Sequence, residues 1–262
     1  MYDFEYAKPT SVADAVRSLG EPDAKAVAGG QTLIPVLKQR LNRPSVVVDL
    51  RALGLAFVRR EGNVLAIGGM TTHAYVAASE EVRAAIPALA RLAGGIGDRQ
   101  VRNRGTIGGS LANNDPSACY PAAVLALGAT IVTDRRRIAA DDYFQGMFAT
   151  ALQADEIITG VEFPVTARAN YEKFRNPASR YAIVGVFVAA GPAGVRVAVT
   201  GAGQGGVFRH AAMEAALARD FSAAAIAGIE ISADDMNADI HAGANYRAHL
   251  VGVIARRAVA GA

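Results

Sequence analysis

Two short glycine-centred stretches constrain this chain more than any other feature of its sequence. They are Ala28-Gly29-Gly30-Gln31-Thr32 and Thr106-Ile107-Gly108-Gly109-Ser110. Paired glycines allow positive φ angles and remove the Cβ atoms that would keep a ligand away from the main chain. Consecutive backbone amides can then converge on one anion, which is a general way to hold phosphate. Because two stretches of similar composition occur, the sequence predicts that both ends of a diphosphate are held.

Composition narrows the class of protein. Hydrophobic residues make up 52% of the 262 residues and charged residues 19%, which is typical of a folded chain with one to three domains. The net charge of +3 is too small to indicate nucleic-acid binding, and no such motif accompanies it. A single cysteine, Cys119, excludes an internal disulfide and an iron–sulfur cluster held by this chain's own thiolates. No secretion signal or apolar segment long enough for a bilayer is visible, so we expect a cytoplasmic protein without a membrane span.

The order of predicted elements divides the chain into three parts. Residues 1–55 have the pattern of a small α/β unit with a parallel strand pair, with helices at 12–19 and 33–41 and strands at 24–28 and 46–49. Residues 56–165 have hairpin-like strands and helices, predicted at 56–59, 64–67, 80–92, 121–127, 129–133 and 157–163. Residues 166–262 form a third, α+β part. It begins with a polar segment at 166–176 that is either a linker or an exposed sheet edge, followed by strands at 182–190 and 195–200 and helices at 210–218 and 246–260.

Two familiar motifs are poor matches in this chain. Gly201, Gly203 and Gly206 spell GxGxxG with Asp220 downstream, but too little chain follows to build a dinucleotide-binding half, so an ordinary strand-to-helix loop is favoured. The segment around Ser110 resembles a degenerate nucleophile elbow of a hydrolase, and Asp134 and His210 follow in hydrolase order. Residues 102–105, however, make a poor supporting strand. The four histidines lack metal-ligand spacing, so no metal site is predicted.

Polar residues around the second glycine stretch offer further ligand contacts. Arg99, Arg102 and Arg104 precede it and could help to neutralise a diphosphate, whereas the cluster at 135–137 has the pattern of a solvated loop. Asp115 follows it in the run Asn113-Asn114-Asp115-Pro116. A carboxylate there can accept a charge-assisted hydrogen bond from a sugar hydroxyl, or it can simply begin an Asp-Pro turn, and the local sequence leaves both alternatives open.

The two stretches in their full context resemble a known family. AGGQTLIPVLKQRL from Ala28 and QVRNRGTIGGSLANNDPSACYPAAVLALGA from Gln100 are similar to the FAD-binding medium subunit of molybdenum hydroxylases, the family of carbon monoxide dehydrogenase and bacterial xanthine dehydrogenases. VVVDL ending near Asp49, GGMTTH from Gly68, PASRYAIVGV from Pro177 and YRAHLVGVIARRAV from Tyr246 also resemble the family pattern. The resemblance covers essentially the whole chain.

The resemblance implies a fold, a cofactor and a set of binding residues. The implied fold is α+β, with a vanillyl-alcohol-oxidase (PCMH)-type FAD-binding domain in two subdomains followed by a C-terminal α+β domain of the carbon monoxide dehydrogenase flavoprotein type. The implied cofactor is FAD, with both glycine stretches at its diphosphate, Tyr181 close to the isoalloxazine ring and Ile157 or Ile158 near the adenine or the flavin. The predicted cofactor-binding residues are Ala28, Gly29, Gly30, Gln31, Thr32, Leu33, Thr106, Ile107, Gly108, Gly109, Ser110, Asp115, Cys119, Ile158 and Tyr181. Cys119 stands where the family often has a carboxylate, and a thiol is a poor acceptor for ribityl hydroxyls. The resemblance therefore implies either weaker FAD binding or FAD bound with a different rotamer.

The resemblance also implies a place in an assembly. The expected function is that of an FAD-carrying electron-transfer subunit. Electrons would pass from a molybdenum-pterin large subunit to an iron–sulfur small subunit and then to the FAD of this chain. The acceptor would be NAD or another molecule, and the assembly a dimer of heterotrimers. No residue is predicted to act catalytically on the organic substrate. The alternatives are a self-contained flavin reductase of the same fold that uses NAD(P)H, and a scaffold that has lost its flavin, which only Cys119 supports.

Overall fold

The computed structural model describes residues 1–166 and 168–262, and its first lobe is built on a small parallel sheet. The strands β1 (Glu5–Ala7), β2 (Lys25–Val27) and β3 (Val46–Asp49) pair in parallel in the order β1-β3-β2, and helices α1 (Val12–Leu19) and α2 (Leu33–Lys38) connect them. The parallel pair β2–β3 was predicted, and β1 adds a third strand. Helix α2 ends at Lys38 rather than at the predicted Leu41, because the chain turns at Arg40, whose φ is 59°.

The second lobe is an antiparallel sheet covered by short helices. Its strands are β4 (Val58–Glu61), β5 (Val64–Gly68), β6 (Thr130–Thr133), β7 (Arg137–Ala139), β8 (Phe144–Gly146), β9 (Ala149–Thr150) and β10 (Ile158–Pro164). Its helices are α3 (His73–Ala78), α4 (Glu80–Ala85), α5 (Pro87–Gly94), α6 (Arg99–Arg104), α7 (Ile107–Asn113), α8 (Tyr120–Ala126) and α9 (Ala140–Tyr143). Five strands form one sheet in the order β4-β5-β10-β6-β7, while β8 and β9 form a separate hairpin.

The helix predicted over residues 80–92 is in fact two helices, α4 and α5. The chain leaves the helical conformation at Ile86, whose φ is −145°, and re-enters it at Pro87. Proline disfavours the helical conformation in the residue before it and is well tolerated in the first turn of a new helix. The apolar spacing continued across the break and therefore concealed it.

The third lobe is an antiparallel sheet with helices packed against it. Its elements are β11 (Arg168–Arg175), β12 (Ala182–Gly191), β13 (Gly194–Thr200), β14 (Phe208–Arg209), α10 (Ala211–Arg219), a 3₁₀ helix (Ala224–Ile226) and α11 (Ala244–Ala260). The strands follow in the order β11-β12-β13-β14, so the polar segment left open by the sequence is an edge strand over residues 168–175. The glycines at 201, 203 and 206 lie in the loop between two antiparallel strands, which excludes a Rossmann site because that site needs a parallel βαβ unit.

Packing joins the three lobes. Every residue of α8 is buried, and this helix of the second lobe also contacts β12 and β13 of the third. Phe187 of β12 belongs to the same hydrophobic core as the second sheet. Met70 and Ile157 of the second lobe pack into the core of the first. In the described part of the chain, no helix combines the length and the apolar character needed to cross a bilayer.

Candidate cofactor-binding site

A cavity of about 600 Å³ receives residues from all three lobes, a volume typical of small-molecule and cofactor sites. The predicted binding residues that line it are Ala28, Gly29, Gly30, Gln31, Thr32, Leu33, Thr106, Gly108, Gly109, Ser110, Asp115, Cys119, Ile158 and Tyr181. Ile107 does not line the cavity. Its side chain is fully buried in the hydrophobic core, and its amide donates to the Thr71 carbonyl at 3.0 Å.

The first glycine stretch lines the cavity with backbone amides that have no protein partner among the described residues. Within residues 1–166 and 168–262, the amides of residues 29 to 33 donate to no protein acceptor. Gly30 has a φ of 72°, which turns the chain between β2 and α2 and which a residue with a side chain adopts only with strain. Consecutive amides without a protein partner are the donors that bind phosphate where they converge on one anion.

The second glycine stretch is built differently, because it forms the first turns of α7. Its amides already have protein acceptors: Gly108 donates to the Gly69 carbonyl at 2.9 Å, and Gly109 donates to the Thr106 hydroxyl at 3.1 Å. Ser110 donates to the Thr106 carbonyl at 3.0 Å. The expectation that both stretches offer free amides is therefore wrong for amides 107–110. Gly108 instead permits close packing, since a Cβ atom there would lie 2.6 Å from the Gly69 carbonyl oxygen.

The two glycine stretches lie against each other at one wall of the cavity. A Cβ atom built on Gly29 would lie 2.2 Å from the carbonyl oxygen of Arg104, which comes just before the second stretch. A Cβ atom built on Gly109 would lie 3.6 Å from the Cβ of Ala28. Stretches that are far apart in the chain thus face one cavity, as a shared ligand requires.

The loop after α7 places a carboxylate and a thiol at the same cavity. Asp115 accepts a hydrogen bond from the Ser117 amide at 2.8 Å, which is the turn that the sequence left as one alternative. This bond uses Oδ1 and leaves Oδ2 for a ligand, so the turn and sugar binding are compatible. The Cys119 sulfur accepts a hydrogen bond from the ammonium group of Lys173 at 3.4 Å. Lys173 also lines the cavity and was not predicted; the weakening of FAD binding by Cys119 stays a prediction.

A second unpredicted residue of the cavity wall is His73, at the start of α3. The residue is only 5% exposed, and its Nδ1 has no hydrogen-bond partner among the described residues. Burial, with a smaller contribution from the positive charge of Arg102, lowers the pKa of His73 from 6.5 to about 4. The ring is therefore neutral at physiological pH. The only signal in the sequence was its place at the end of GGMTTH.

The buried His73 is expected to make the fold sensitive to mild acid. Between pH 6.5 and 4 the unfolded chain protonates this side chain while the folded chain does not, so stability is lost as the pH falls through this window. The His73 contribution to the loss between pH 7 and 4.5 is about 2.5 kcal/mol. Urea unfolding at both pH values should show that His73→Gln loses less stability than the unmodified chain by about this amount. The exposed His249 provides the control, since His249→Gln should leave the difference unchanged.

A serine hydrolase site is not assembled. Ser110 lies at the cavity, but Asp134 accepts from the Ile157 amide at 2.7 Å and from Arg135, and His210 accepts from the Met213 amide at 3.3 Å as the cap of α10. Neither Asp134 nor His210 lines the cavity. In the part of the chain that the structure describes, no group of three or more His, Cys, Asp or Glu side chains could hold a metal ion.

Comparison with known protein families decides the class of the chain. Residues 2–166 match the family described as the FAD binding domain in molybdopterin dehydrogenase. The chain belongs to this family. The match spans the two lobes that carry both glycine stretches and ends before the third lobe begins.

Relatives of this family extend the similarity over the whole chain. The nicotine 6-hydroxylase medium subunit of Paenarthrobacter nicotinovorans is 38% identical over 271 residues, covering 97% of this chain and 95% of that protein. The carbon monoxide dehydrogenase medium chain of Afipia carboxidovorans is 40% identical over 190 residues, covering 68% of this chain and 66% of that protein. Among solved structures, carbon monoxide dehydrogenase from Hydrogenophaga pseudoflava is similar with a TM-score of 0.88 at 32% identity, covering 99% of this chain and 96% of that one.

Membership of the family confirms several predictions. The mixed helix and sheet fold matches that of the carbon monoxide dehydrogenase structure, and FAD is the cofactor. The chain is thus a flavoprotein component of molybdenum-dependent dehydrogenases. The residues present fit this cofactor, because the free amides of residues 29–33 suit a diphosphate and the cavity has the volume of a cofactor site.

Proposed function

We propose that this chain is the FAD-carrying electron-transfer subunit of a heteromeric molybdenum hydroxylase, which takes electrons from an iron–sulfur partner and passes them to NAD or another acceptor. The observation that carries the proposal is that residues 29–33, whose amides have no protein acceptor among the described residues, line the cavity in a chain of this family. The single cysteine supports a separate iron–sulfur subunit, because a cluster normally needs four thiolates. Relatives named medium subunit or medium chain support the same distribution of cofactors over separate subunits.

Bound FAD supplies the redox chemistry, because a flavin exchanges electrons both singly and in pairs. The protein positions it. On this proposal, the amides of residues 29–33 hold the phosphates and Ser110 adds a hydroxyl donor. Asp115 accepts from a sugar hydroxyl through its second carboxylate oxygen, while Ile158 and Tyr181 pack against the aromatic rings. The chain itself contributes no catalytic residue towards the organic substrate.

The proposed assembly combines this chain with an iron–sulfur small subunit and a molybdenum-pterin large subunit, as a dimer of heterotrimers in the cytoplasm. Three parts of the chain take part: residues 1–55 and 56–165 enclose FAD, and residues 166–262 form a C-terminal domain that covers it. Tyr181 and Lys173 of the third part reach the cavity, which supports that covering role.

Flavin analysis and reduction kinetics test the proposal directly. The full chain, purified gently, is expected to carry an equimolar amount of FAD. In the assembled complex, the substrate of the molybdenum subunit should reduce this FAD, whereas the isolated chain with the same substrate should show no reduction. A chain purified with its partners but without FAD would overturn the cofactor assignment and favour a scaffold. Steady turnover of NAD(P)H by the isolated chain would instead favour the self-contained reductase.

A further inference from the structure

The β8–β9 hairpin carries an aromatic side chain to the cavity in an unusual backbone conformation. Phe148, at the tip of this hairpin, lines the cavity and is 57% exposed. Its φ is 55°, in the left-handed region that bulky residues adopt only when their surroundings impose it. An exposed phenyl ring on a strained backbone raises the free energy of the folded chain. A ligand that covers the ring offsets that free energy.

A buried residue at the end of α7 holds this tip in place. Asn114, at the end of α7, is 2% exposed and itself has a φ of 42°. Its side-chain amide nitrogen donates to the carbonyls of Gly146 and Ala149, both at 2.8 Å, and its main-chain carbonyl accepts from the Phe148 amide at 3.2 Å. These bonds bracket the tip from both sides. Helix α7 begins in the second glycine stretch, and the residue at its end, Asn114, fixes Phe148 at the cavity.

We propose that Phe148 packs over an aromatic ring of bound FAD and retards its release, and that Asn114 is the positioning residue that holds Phe148 there. The inference rests on the proposed function, since it requires FAD in this cavity. Both ring systems of FAD have the flat, polarisable faces on which a phenyl ring stacks. Phe148 lines the cavity and is exposed, so its ring is accessible for such a contact.

The dissociation rate of FAD from the full chain tests the inference. Phe148→Ala is expected to release FAD about 10-fold faster, because stacking of one aromatic side chain on a ring is worth about that factor or more. Phe148→Tyr should keep the slow release. If Phe148 covers the isoalloxazine, iodide should quench the flavin fluorescence more effectively in Phe148→Ala. Met147→Ala is the matched control, since Met147 occupies the same tip and is 45% exposed but does not line the cavity. Its release rate should equal that of the unmodified chain.

A double-variant comparison tests the role of Asn114. Asn114→Asp keeps the size of the residue and the main-chain carbonyl that accepts from Phe148 but loses the two side-chain donors. If Asn114 acts through Phe148, Asn114→Asp should speed the release of FAD when Phe148 is present. It should have little further effect on that rate in the Phe148→Ala background. Equal effects in both backgrounds would show a merely structural role and overturn the positioning claim.

Competition with fragments shows which ring is covered. Phe148→Ala should weaken the binding of ADP if the adenine lies under Phe148, and that of FMN if the isoalloxazine does; either result supports the inference. FAD that leaves Phe148→Ala and the unmodified chain at the same rate would overturn it. That outcome differs from failure of the proposed function, in which the unmodified chain would contain no FAD at all.

Discussion

Replacing Gly29 by alanine is expected to lower the affinity of the chain for FAD by at least about 100-fold. The new Cβ atom would lie 2.2 Å from the Arg104 carbonyl oxygen and 2.7 Å from the Gly105 Cα. Both are main-chain atoms, so no side-chain rotation relieves the clash, and the two glycine stretches must separate. Separation displaces the free amides of residues 29–33 from the wall that they share with α7. Titration of flavin-free protein with FAD, followed by flavin fluorescence, measures the effect.

The matched control for Gly29→Ala is an alanine placed at a glycine with room for it. Gly205 has a negative φ, and no heavy atom lies within 4 Å of a Cβ atom built there. Gly205→Ala should therefore bind FAD as the unmodified chain does. Circular dichroism on both variants separates loss of the site from loss of the fold. If Gly29→Ala remained folded and bound FAD with unchanged affinity, the first glycine stretch would not be the diphosphate site.

The position of the cavity wall was predictable because its signals are local. Adjacent glycines beside small polar residues mark sharp turns, and Gly30 indeed has a positive φ. How the second stretch uses its amides was not predictable from the sequence. Their acceptors include the carbonyls of Gly69 and Thr71, which only the packing of the second lobe brings to the start of α7. A glycine pair in a sequence cannot show whether its amides face a ligand or a neighbouring strand.

The remaining wall residues were missed because they come from elements without a distinctive pattern. His73 belongs to a short helix with little apolar periodicity, Lys173 to an edge strand, and Phe148 to a tight hairpin. Helix α6 was missed for a related reason. None of its residues is buried, so no apolar stripe marks it, and it is fixed instead by Asp98, which accepts from the Val101 amide at 2.7 Å. Long-range packing, which sequence periodicity does not record, brings these residues to one cavity.

A buried arginine links the third lobe to the cavity wall. Arg247 of α11 is 3% exposed, and its Nη1 donates to the carbonyls of Ile183 and Gly201 at 2.7 and 2.8 Å. Its Nη2 donates to the Asp239 carboxylate at 2.7 Å. The amide of Gly201 in turn donates to the Pro116 carbonyl at 2.7 Å, in the loop that carries Asp115 and Cys119. Arg247 thus fixes the end of β13 at the point where the third lobe contacts the loop of the cofactor cavity.

Replacing Arg247 by leucine is therefore expected to destabilise the chain by about 3 kcal/mol, since it leaves two buried carbonyls and a carboxylate without their charged donor. For a chain of this size the melting temperature should fall by about 6–12 °C. Calorimetry on the flavin-free chain measures the loss. Arg257 is exposed on the same helix, so Arg257→Leu is the matched control and should change the melting temperature little.

Because the lost bonds adjoin the Pro116 loop, Arg247→Leu should also release FAD faster. Equal melting temperatures for Arg247→Leu and Arg257→Leu would show that the buried arginine adds no net stability, as happens where desolvation of an ion pair cancels its attraction.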